Sequence, residues 1–357
     1  MEYTKRIVIV GEMHNDIFYK IAFFKTLEDQ VTEKIYQYIL DLGAKIRTMK
    51  KDDVQKIIHD VISGLPKKNA GEAVIKRGGN GNNSTELFAT LGLPIKLMTV
   101  IGQNSEWMKD ELEAMSVDTS CVFQLPKMTP ISAIIEDPVT TKIFTGANLK
   151  KEMNFSSISV DASHFADASI VFFTPMAPKF EPILSSLASM ATGILTAITL
   201  ESQAIDSIDL LRDLVKTKVD VLFANDADAL AITGGSTIDE ADAILLDFAR
   251  IRVFTLGGAG STIRSDLCDS VDIPVFQVKV IDRTGAGDAF AAGVLVKCHE
   301  FIEKSGNLIE YLETLPEEDK KAVFQEIGTF GAASAALKIS LARTPSMTEV
   351  ADFLNNQ

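Results

Sequence analysis

The sequence predicts an α/β fold, a mostly parallel central sheet covered by helices on both faces, with a small β-structured lid. Short apolar, β-branched runs recur at Ile7 to Val10, Lys96 to Ile101, Ser169 to Phe173, Gly193 to Thr199, Val219 to Ala224, Arg252 to Leu256 and Val275 to Val280. Helical patterns lie between them, so the chain reads as successive strand–helix units whose sheet is buried on both sides. Two regions of the N-terminal half break this rhythm, carrying strand-like runs without helices between the paired members.

Lys5 and Arg6 lead directly into the first strand, Ile7 to Val10, with no apolar stretch long enough for an export signal. Ile17 to Phe24 and Ala73 to Lys76 are the first two candidate lid strands. Between them lies an insertion of two amphipathic helices: Val31, Ile35, Ile39 and Leu42 stopping at Gly43, then Val54, Ile57, Ile58 and Val61 stopping at Gly64 with Pro66 beyond. Their apolar stripes suit packing within the domain, bracing of the lid, or the surface of a homodimer. Ile131 to Ile135 and Lys142 to Phe144 form a second lid pair, with Asp137-Pro138-Val139-Thr140 as hairpin turn.

Residues 182–200 carry no charge, but Pro182, Gly193 and several Ser and Thr residues make them a helix followed by a strand, not a membrane span. Helices are expected over Ser202 to Lys216, with Ile205, Ile208, Leu211 and Val215 on one face, and over Asp239 to Arg250, which opens on an acidic turn. The chain thus divides into a main body of 1–16, 79–120 and 146–357 and a lid of 17–78 and 121–145, the helical insertion falling at about 28–66.

Composition narrows the function. The 357 residues are 46% hydrophobic, enough to bury a sizeable core. Thirty-five basic against 49 acidic residues give a formal charge of −14, which repels nucleic acid and anionic membranes. Cys121, Cys268 and Cys298 are too widely spaced for a metal or redox pair and suit a reducing, cytoplasmic setting.

The strongest chemical signal is Ile281-Asp282-Arg283-Thr284-Gly285-Ala286-Gly287-Asp288, just before a helix of small and apolar residues. Small residues permit a tight turn that leaves the amides of Gly285, Ala286 and Gly287 facing one point, an anion site at a helix N-terminus. A carboxylate there, Asp288, is placed to take a proton from a hydroxyl attacking a bound phosphate. The same string also fits a plain turn with Asp288 as helix cap. No G-x-x-x-x-G-K-[ST] loop, complete G-x-G-x-x-G or H-E-x-x-H pattern occurs, which removes Walker-type, dinucleotide and zinc-hydrolase readings.

This string resembles the D-T-x-G-A-G-D signature of the ribokinase, or PfkB, family of carbohydrate kinases. Gly78-Gly79-Asn80-Gly81-Asn82-Asn83, with Leu91-Gly92 closing the next helix, resembles the family's G-G-x-x-x-N motif, in the right order about 200 residues upstream. The resemblance implies a ribokinase-like fold and transfer of the γ-phosphoryl of ATP to a hydroxyl, with Asp288 as general base and Gly285, Ala286 and Gly287 as anion hole. It implies that Asp16, Gly79, Asn80 and Asn83 hold the acceptor, although Asn80 and Asn83 also suit helix capping. Asn225-Asp226-Ala227-Asp228 resembles N-x-x-E, with Asp228 one methylene short of the usual Glu, and implies Mg²⁺ held through water. Thr255-Leu256-Gly257-Gly258-Ala259-Gly260 resembles the nucleotide loop T-x-G-x-x-G, so Thr255, Gly257 and Gly260 join Asn225 and Asp228 on the nucleotide side. Taken locally that loop is an ordinary glycine turn.

Asp282 and the backbone near Thr284 are where relatives hold a monovalent cation such as K⁺. Other departures are Arg283, Asn104 in place of an acid, and Gly331 where a polar side chain can flank adenine. The acceptor implied is a sugar or a nucleoside. The absence of Lys or Arg between Asn80 and Pro94 favours a neutral one. The departures leave open a protein that binds sugar or nucleotide without catalysis.

Overall fold

The central strands of the larger sheet split their side chains between two cores, which is why their sequences are mostly apolar. In β1 (Arg6–Gly11), Ile7 and Ile9 join one core while Val8 and Val10 join the other. In β8 (Ala168–Thr174), Ile170 and Phe172 face one way, Val171 and Phe173 the other. The computed structural model describes residues 3–20, 28–34, 37, 51–64, 72–103, 105–136, 141–145, 147–190 and 193–357. Two compact units are present: Met1–Met13 with Gly78–Thr129 and Leu149–Gln357, and His14–Arg77 with Pro130–Asn148.

The larger unit holds a nine-stranded sheet in the order β13-β12-β11-β10-β9-β8-β1-β4-β5. Besides β1 and β8 these are β4 (Ile95–Gly102), β5 (Val122–Leu125), β9 (Leu195–Thr199), β10 (Val219–Asn225), β11 (Ala249–Thr255), β12 (Ser261–Ser265) and β13 (Val271–Ile273). Pairing is parallel from β5 through β11, and β12 and β13 close that edge antiparallel. One core takes the helices Asn80–Thr90, Ala286–Ser305 and Glu317–Leu341, and the opposite core takes Glu181–Met190, Ile208–Leu214, Asp226–Thr233 and Ile238–Leu245.

Gly331 is a packing residue: a Cβ there would stand 2.8 Å from Val294 Cγ2 and 2.9 Å from Phe290 O. Gly293 faces it, with 2.8 Å from its own would-be Cβ to Gly331 Cα, so the two long helices pack backbone to backbone. The missing side chain at Gly331 therefore serves helix packing.

The smaller unit holds a four-stranded sheet in the order β3-β2-β6-β7, from β2 (His14–Lys20), β3 (Glu72–Gly78), β6 (Ile131–Glu136) and β7 (Thr141–Thr145). β6 and β7 pair antiparallel. Their turn at Asp137 to Thr140 lies outside the described residues, as do Ile21 to Phe24, Asn104, Ile35, Ile39, Leu42, Gly43 and Pro66. In the insertion, 28–34 are helical and a helix spans Lys51–Gly64.

Several sequence boundaries change. The segment 121–129, expected in the lid, belongs to the larger unit because β5 pairs parallel with β4. Val275 to Val280 is not a strand: β13 stops at Ile273, and Pro274, with no N–H to donate, ends the ladder. The helix expected over Ser202 to Lys216 runs only Ile208–Leu214, capped by Ser207, whose Oγ accepts from the Leu210 amide at 3.4 Å. That expected over Asp239 to Arg250 runs Ile238–Leu245 behind the Thr237 cap, and Ala249 already begins β11.

Candidate active site

Parallel strands deliver their C-terminal ends to one edge of a sheet, and side chains placed just beyond those ends meet there. Glu12 follows β1, Glu201 lies two residues past β9, Asn225 ends β10 and Thr255 ends β11. With β8 between them, these strands stand side by side.

The helix Ala286–Ser305 has Gly285 as N-cap, at φ 74°, a backbone conformation that glycine adopts freely. No side chain caps it, so Asp288 is the third residue of its first turn and not the cap. The Ala286 amide donates to Arg283 O at 3.3 Å. The first-turn amides of Gly287 and Asp288 have no carbonyl a turn below them. Upstream, the amides of Ile281 and Asp282 donate to Ile339 O at 2.9 and 3.1 Å, fastening the loop to the Glu317–Leu341 helix.

Lys338 from that helix reaches the same place: a Cβ on Gly285 would be 3.3 Å from Lys338 Cε and 3.9 Å from Asp288 Oδ2. Asp288 is open to solvent on one side, but crowding by protein pushes its carboxyl above the usual range, and the Lys338 ammonium opposes that shift. Its exposure keeps that effect below what full burial would give.

Gly79 (φ 95°) opens the helix Asn80–Thr90 without any side-chain cap, so neither Asn80 nor Asn83 caps it. Asn80 Nδ2 donates instead to Glu201 Oε1 at 3.0 Å. Asn83 is exposed, and its Oδ1 accepts from Asn82 Nδ2 at 3.3 Å.

On the next strand end, Asn225 caps the helix Asp226–Thr233, its Oδ1 accepting from the Asp228 amide at 2.7 Å. Asp228 is held on both oxygens. Oδ1 accepts from the Ser202 amide at 2.8 Å and Ser202 Oγ at 2.6 Å, and Oδ2 from Asn225 Nδ2 at 2.6 Å.

Four carboxylates thus share one region. Burial, then the charges of Asp288, Asp228 and Glu12, push Glu201 from 4.5 up to about 7, with Lys150 opposing. Burial also disfavours charge on Glu12, but Lys179 and Lys150 outweigh it and hold that carboxyl below its usual range. Lys150 Nζ lies 3.3 Å from Glu12 Oε2, and Lys179 pairs with Oε1. Among the described residues no three His, Cys, Asp or Glu side chains are grouped to ligate a metal directly. Crowded but unclustered acids fit a divalent ion held mainly by phosphates and water.

The raised Glu201 gives a stability prediction. A carboxyl bound to its proton more tightly in the folded state favours folding at low pH, and that contribution is lost as pH rises from the unfolded value of 4.5 to about 7. Glu201→Gln is therefore expected to melt above the wild type at about pH 8, the gap closing by about pH 4. A gap that is absent at the higher pH, or equal at both, contradicts the shift.

The loop after β11 divides in two. Gly260 (φ 100°) is demanded by the turn, since a Cβ would meet Ile273 O at 2.3 Å. Gly257 (φ 56°) and Gly258 have open space where a Cβ would stand, as close approach of a ligand to the backbone requires. Asp282 Oδ1 accepts from the Thr284 amide at 2.9 Å, and that bond holds its carboxyl below the usual range. Thr284 and Arg283 are exposed. Asp16 lies in β2 of the smaller unit, its Oδ1 3.1 Å from His14 Nε2.

Sequence reasoning missed Glu12, Glu201, Ser202 and Lys338. The rule that ligands gather at the carboxyl ends of parallel strands could have found the two glutamates. No motif marked Lys338, which reaches the site from a helix 50 residues further along the chain than Asp288 (338 − 288).

A family model described as pfkB family carbohydrate kinase matches residues 52–349. The chain is 28% identical over 231 residues to the cytidine kinase of Thermococcus kodakarensis, covering 63% of this chain and 81% of that protein. It is 23% identical over 301 residues to the ribokinase of Haemophilus influenzae, covering 79% and 88%. Among solved structures it superposes on the Methanocaldococcus jannaschii nucleoside kinase, an archaeal member of the ribokinase family, with TM-score 0.63, 18% identity and 100% of both chains covered. The Arabidopsis thaliana ribokinase complexed with ribose and ATP gives TM-score 0.65 at 18% identity, covering 98% of this chain and 99% of that one. The fold is ribokinase-like.

Proposed function

The chain belongs to the pfkB family of carbohydrate kinases, ATP-dependent kinases of sugars and nucleosides, and we propose that Asp288 is the general base that readies an acceptor hydroxyl for the γ-phosphoryl of ATP. The observation that carries this is the place of Asp288: third residue of a helix that opens on Gly285 and offers its amides to an anion, with Lys338 alongside. Phosphoryl transfer needs positioning, charge neutralisation and one oriented base, and this arrangement supplies all three in kind. The loop from Gly285 through Ala286 and Gly287 receives the transferring group on its free amides, the Ala286 amide being bonded to Arg283 O. Gly79, Asn80 and Asn83 take the acceptor. Asn225, Asp228, Thr255, Gly257 and Gly260 serve the nucleotide.

Mg²⁺ suits the crowded acids, where Asp228 and Glu201 would hold it through water while it neutralises triphosphate charge. A K⁺ ion near Asp282 and the Thr284 backbone belongs to the same proposal.

The acceptor is a sugar hydroxyl, free or within a nucleoside. The nucleoside form is favoured by the likeness to the Thermococcus cytidine kinase and the free sugar by that to the Haemophilus ribokinase. ADP release with Mg-ATP is to be measured against pentoses, hexoses, sugar phosphates and nucleosides, in KCl and in NaCl. One acceptor is expected to stimulate turnover strongly, more so in KCl, over slow hydrolysis without acceptor. Fast acceptor-independent hydrolysis contradicts a site that reserves transfer for an acceptor hydroxyl, equal rates in the two salts remove K⁺, and ATP binding without transfer to any acceptor leaves a non-catalytic binding protein.

A further inference from the structure

The turn that follows β9 spans the two halves of the site within the larger unit. Glu201 accepts from Asn80 at 3.0 Å on the acceptor side, and its neighbour Ser202 donates twice to Asp228 on the nucleotide side, at 2.8 Å from the amide and 2.6 Å from the hydroxyl. An ionised carboxylate has about four lone-pair positions. Ser202 takes both on Oδ1 and Asn225 takes one on Oδ2, at 2.6 Å, which leaves one position on Oδ2. Asp228 is thereby fixed in orientation before any ligand arrives. A carboxylate shorter by a methylene than the glutamate of the N-x-x-E pattern has less freedom to search for its partner, so its placement must come from its surroundings.

We propose that Ser202 is the positioning residue for Asp228: its hydroxyl aims the one free lone pair of this shortened carboxylate at a water of the magnesium–nucleotide complex. The proposal rests on the phosphoryl-transfer function above. It makes Ser202 and the identity of residue 228 interdependent. With the hydroxyl present, Asp is the residue that fits; without it, the longer Glu is preferred.

The test is a double-mutant cycle of Ser202→Ala and Asp228→Glu, with two readouts: calorimetric affinity for ADP with and without Mg²⁺, and the Mg²⁺ dependence of turnover. Ser202→Ala leaves the amide bond to Asp228 in place. It is expected to weaken the Mg²⁺-dependent gain in ADP affinity about tenfold and to raise the Mg²⁺ needed for half-maximal turnover similarly, with acceptor KM unchanged. Adding Asp228→Glu is expected to restore both to within about threefold, whereas Asp228→Glu alone weakens them. Ser202→Thr, which keeps a hydroxyl, is expected to match wild type, and this guards against a folding defect in the Ala variant. Unchanged Mg²⁺ dependence in Ser202→Ala, or strictly additive effects, overturns the proposal. A wild type that binds Mg-ADP but phosphorylates nothing sinks the kinase function instead, and the calorimetric cycle still decides the role of Ser202.

Discussion

Asp288→Asn is expected to lower kcat by about 10²–10⁴-fold while nucleotide affinity is kept or improved. The two side chains have the same shape, so the helix that opens at Gly285 persists. What disappears is the ability to accept a proton from the attacking hydroxyl, a loss of roughly 3–5 kcal/mol in transition-state stabilisation. A negative charge is also withdrawn from beside the triphosphate, which favours ATP binding. The pH dependence gives a second signature. The base works as carboxylate, so wild-type turnover falls as pH drops through its pKa, which crowding by protein raises above the ordinary aspartate range and Lys338 partly lowers again. The Asn variant loses that acid limb in whatever activity remains. A variant keeping more than about a tenth of wild-type kcat would mean that another group, or water, takes the proton.

How much of this was legible in the sequence depends on the range over which each signal acts. Runs such as Ile7 to Val10 and Ser169 to Phe173 named their strands because burial on both faces favours apolar residues, and a buried polar one such as Ser169 must find partners, here Arg6 O and His299 Nδ1. Val275 to Val280 carries a similar run and forms no strand, since Pro274 breaks the ladder just ahead of it. Helix ends were harder. Ser202 opens the segment whose apolar period predicts a helix, yet its hydroxyl and amide are committed to Asp228, 26 residues away, and helix formation waits for Ser207. The assignment of 121–129 to the lid failed for the same kind of reason, because the parallel pairing of β5 with β4 is not written in either segment alone.

The site divides along similar lines. Gly285, Asp288, Gly79 and Asn80 lie in short strings whose composition already demands a special backbone. Glu201 and Glu12 became visible only once the strand ends were lined up, and the raised pKa of Glu201 is a property of four acids drawn from separate segments. Asn80 reads as a helix cap in isolation, and its bond to Glu201 exists only because Asn80–Thr90 and the end of β9 meet in the same unit.

Gly81→Ala should be among the most destabilising single substitutions outside the catalytic loop, at about 2–4 kcal/mol, and it should raise acceptor KM as well. On helix propensity alone the sign would be the opposite, since Ala in a helix is favoured over Gly by about 1 kcal/mol. Contact decides against it. A Cβ on Gly81 would stand 2.6 Å from Gly11 C, 2.8 Å from Gly11 Cα and 2.9 Å from the Glu12 amide nitrogen. Every one of these is backbone at the end of β1, so no side chain can swing aside. Gly11 is equally confined, with 2.5 Å from its own would-be Cβ to Gly81 Cα and 2.8 Å to Thr174 O. The strand end is also tethered, since Thr99 Oγ1 donates to Gly11 O at 2.7 Å and the Asn82 amide donates to Glu12 O at 3.2 Å. To admit one methyl the first turn of the Asn80–Thr90 helix must draw back, stretching the Asn82 bond and displacing Asn80 from Glu201. Chemical denaturation measures the first effect and acceptor KM the second. Gly64→Ala, with nothing within 4 Å of the new methyl, serves as the control and is expected to be neutral or slightly stabilising. If Gly81→Ala proves as stable as that control, the close approach of β1 to this helix is not rigid, and the glycine owes its place to something other than packing.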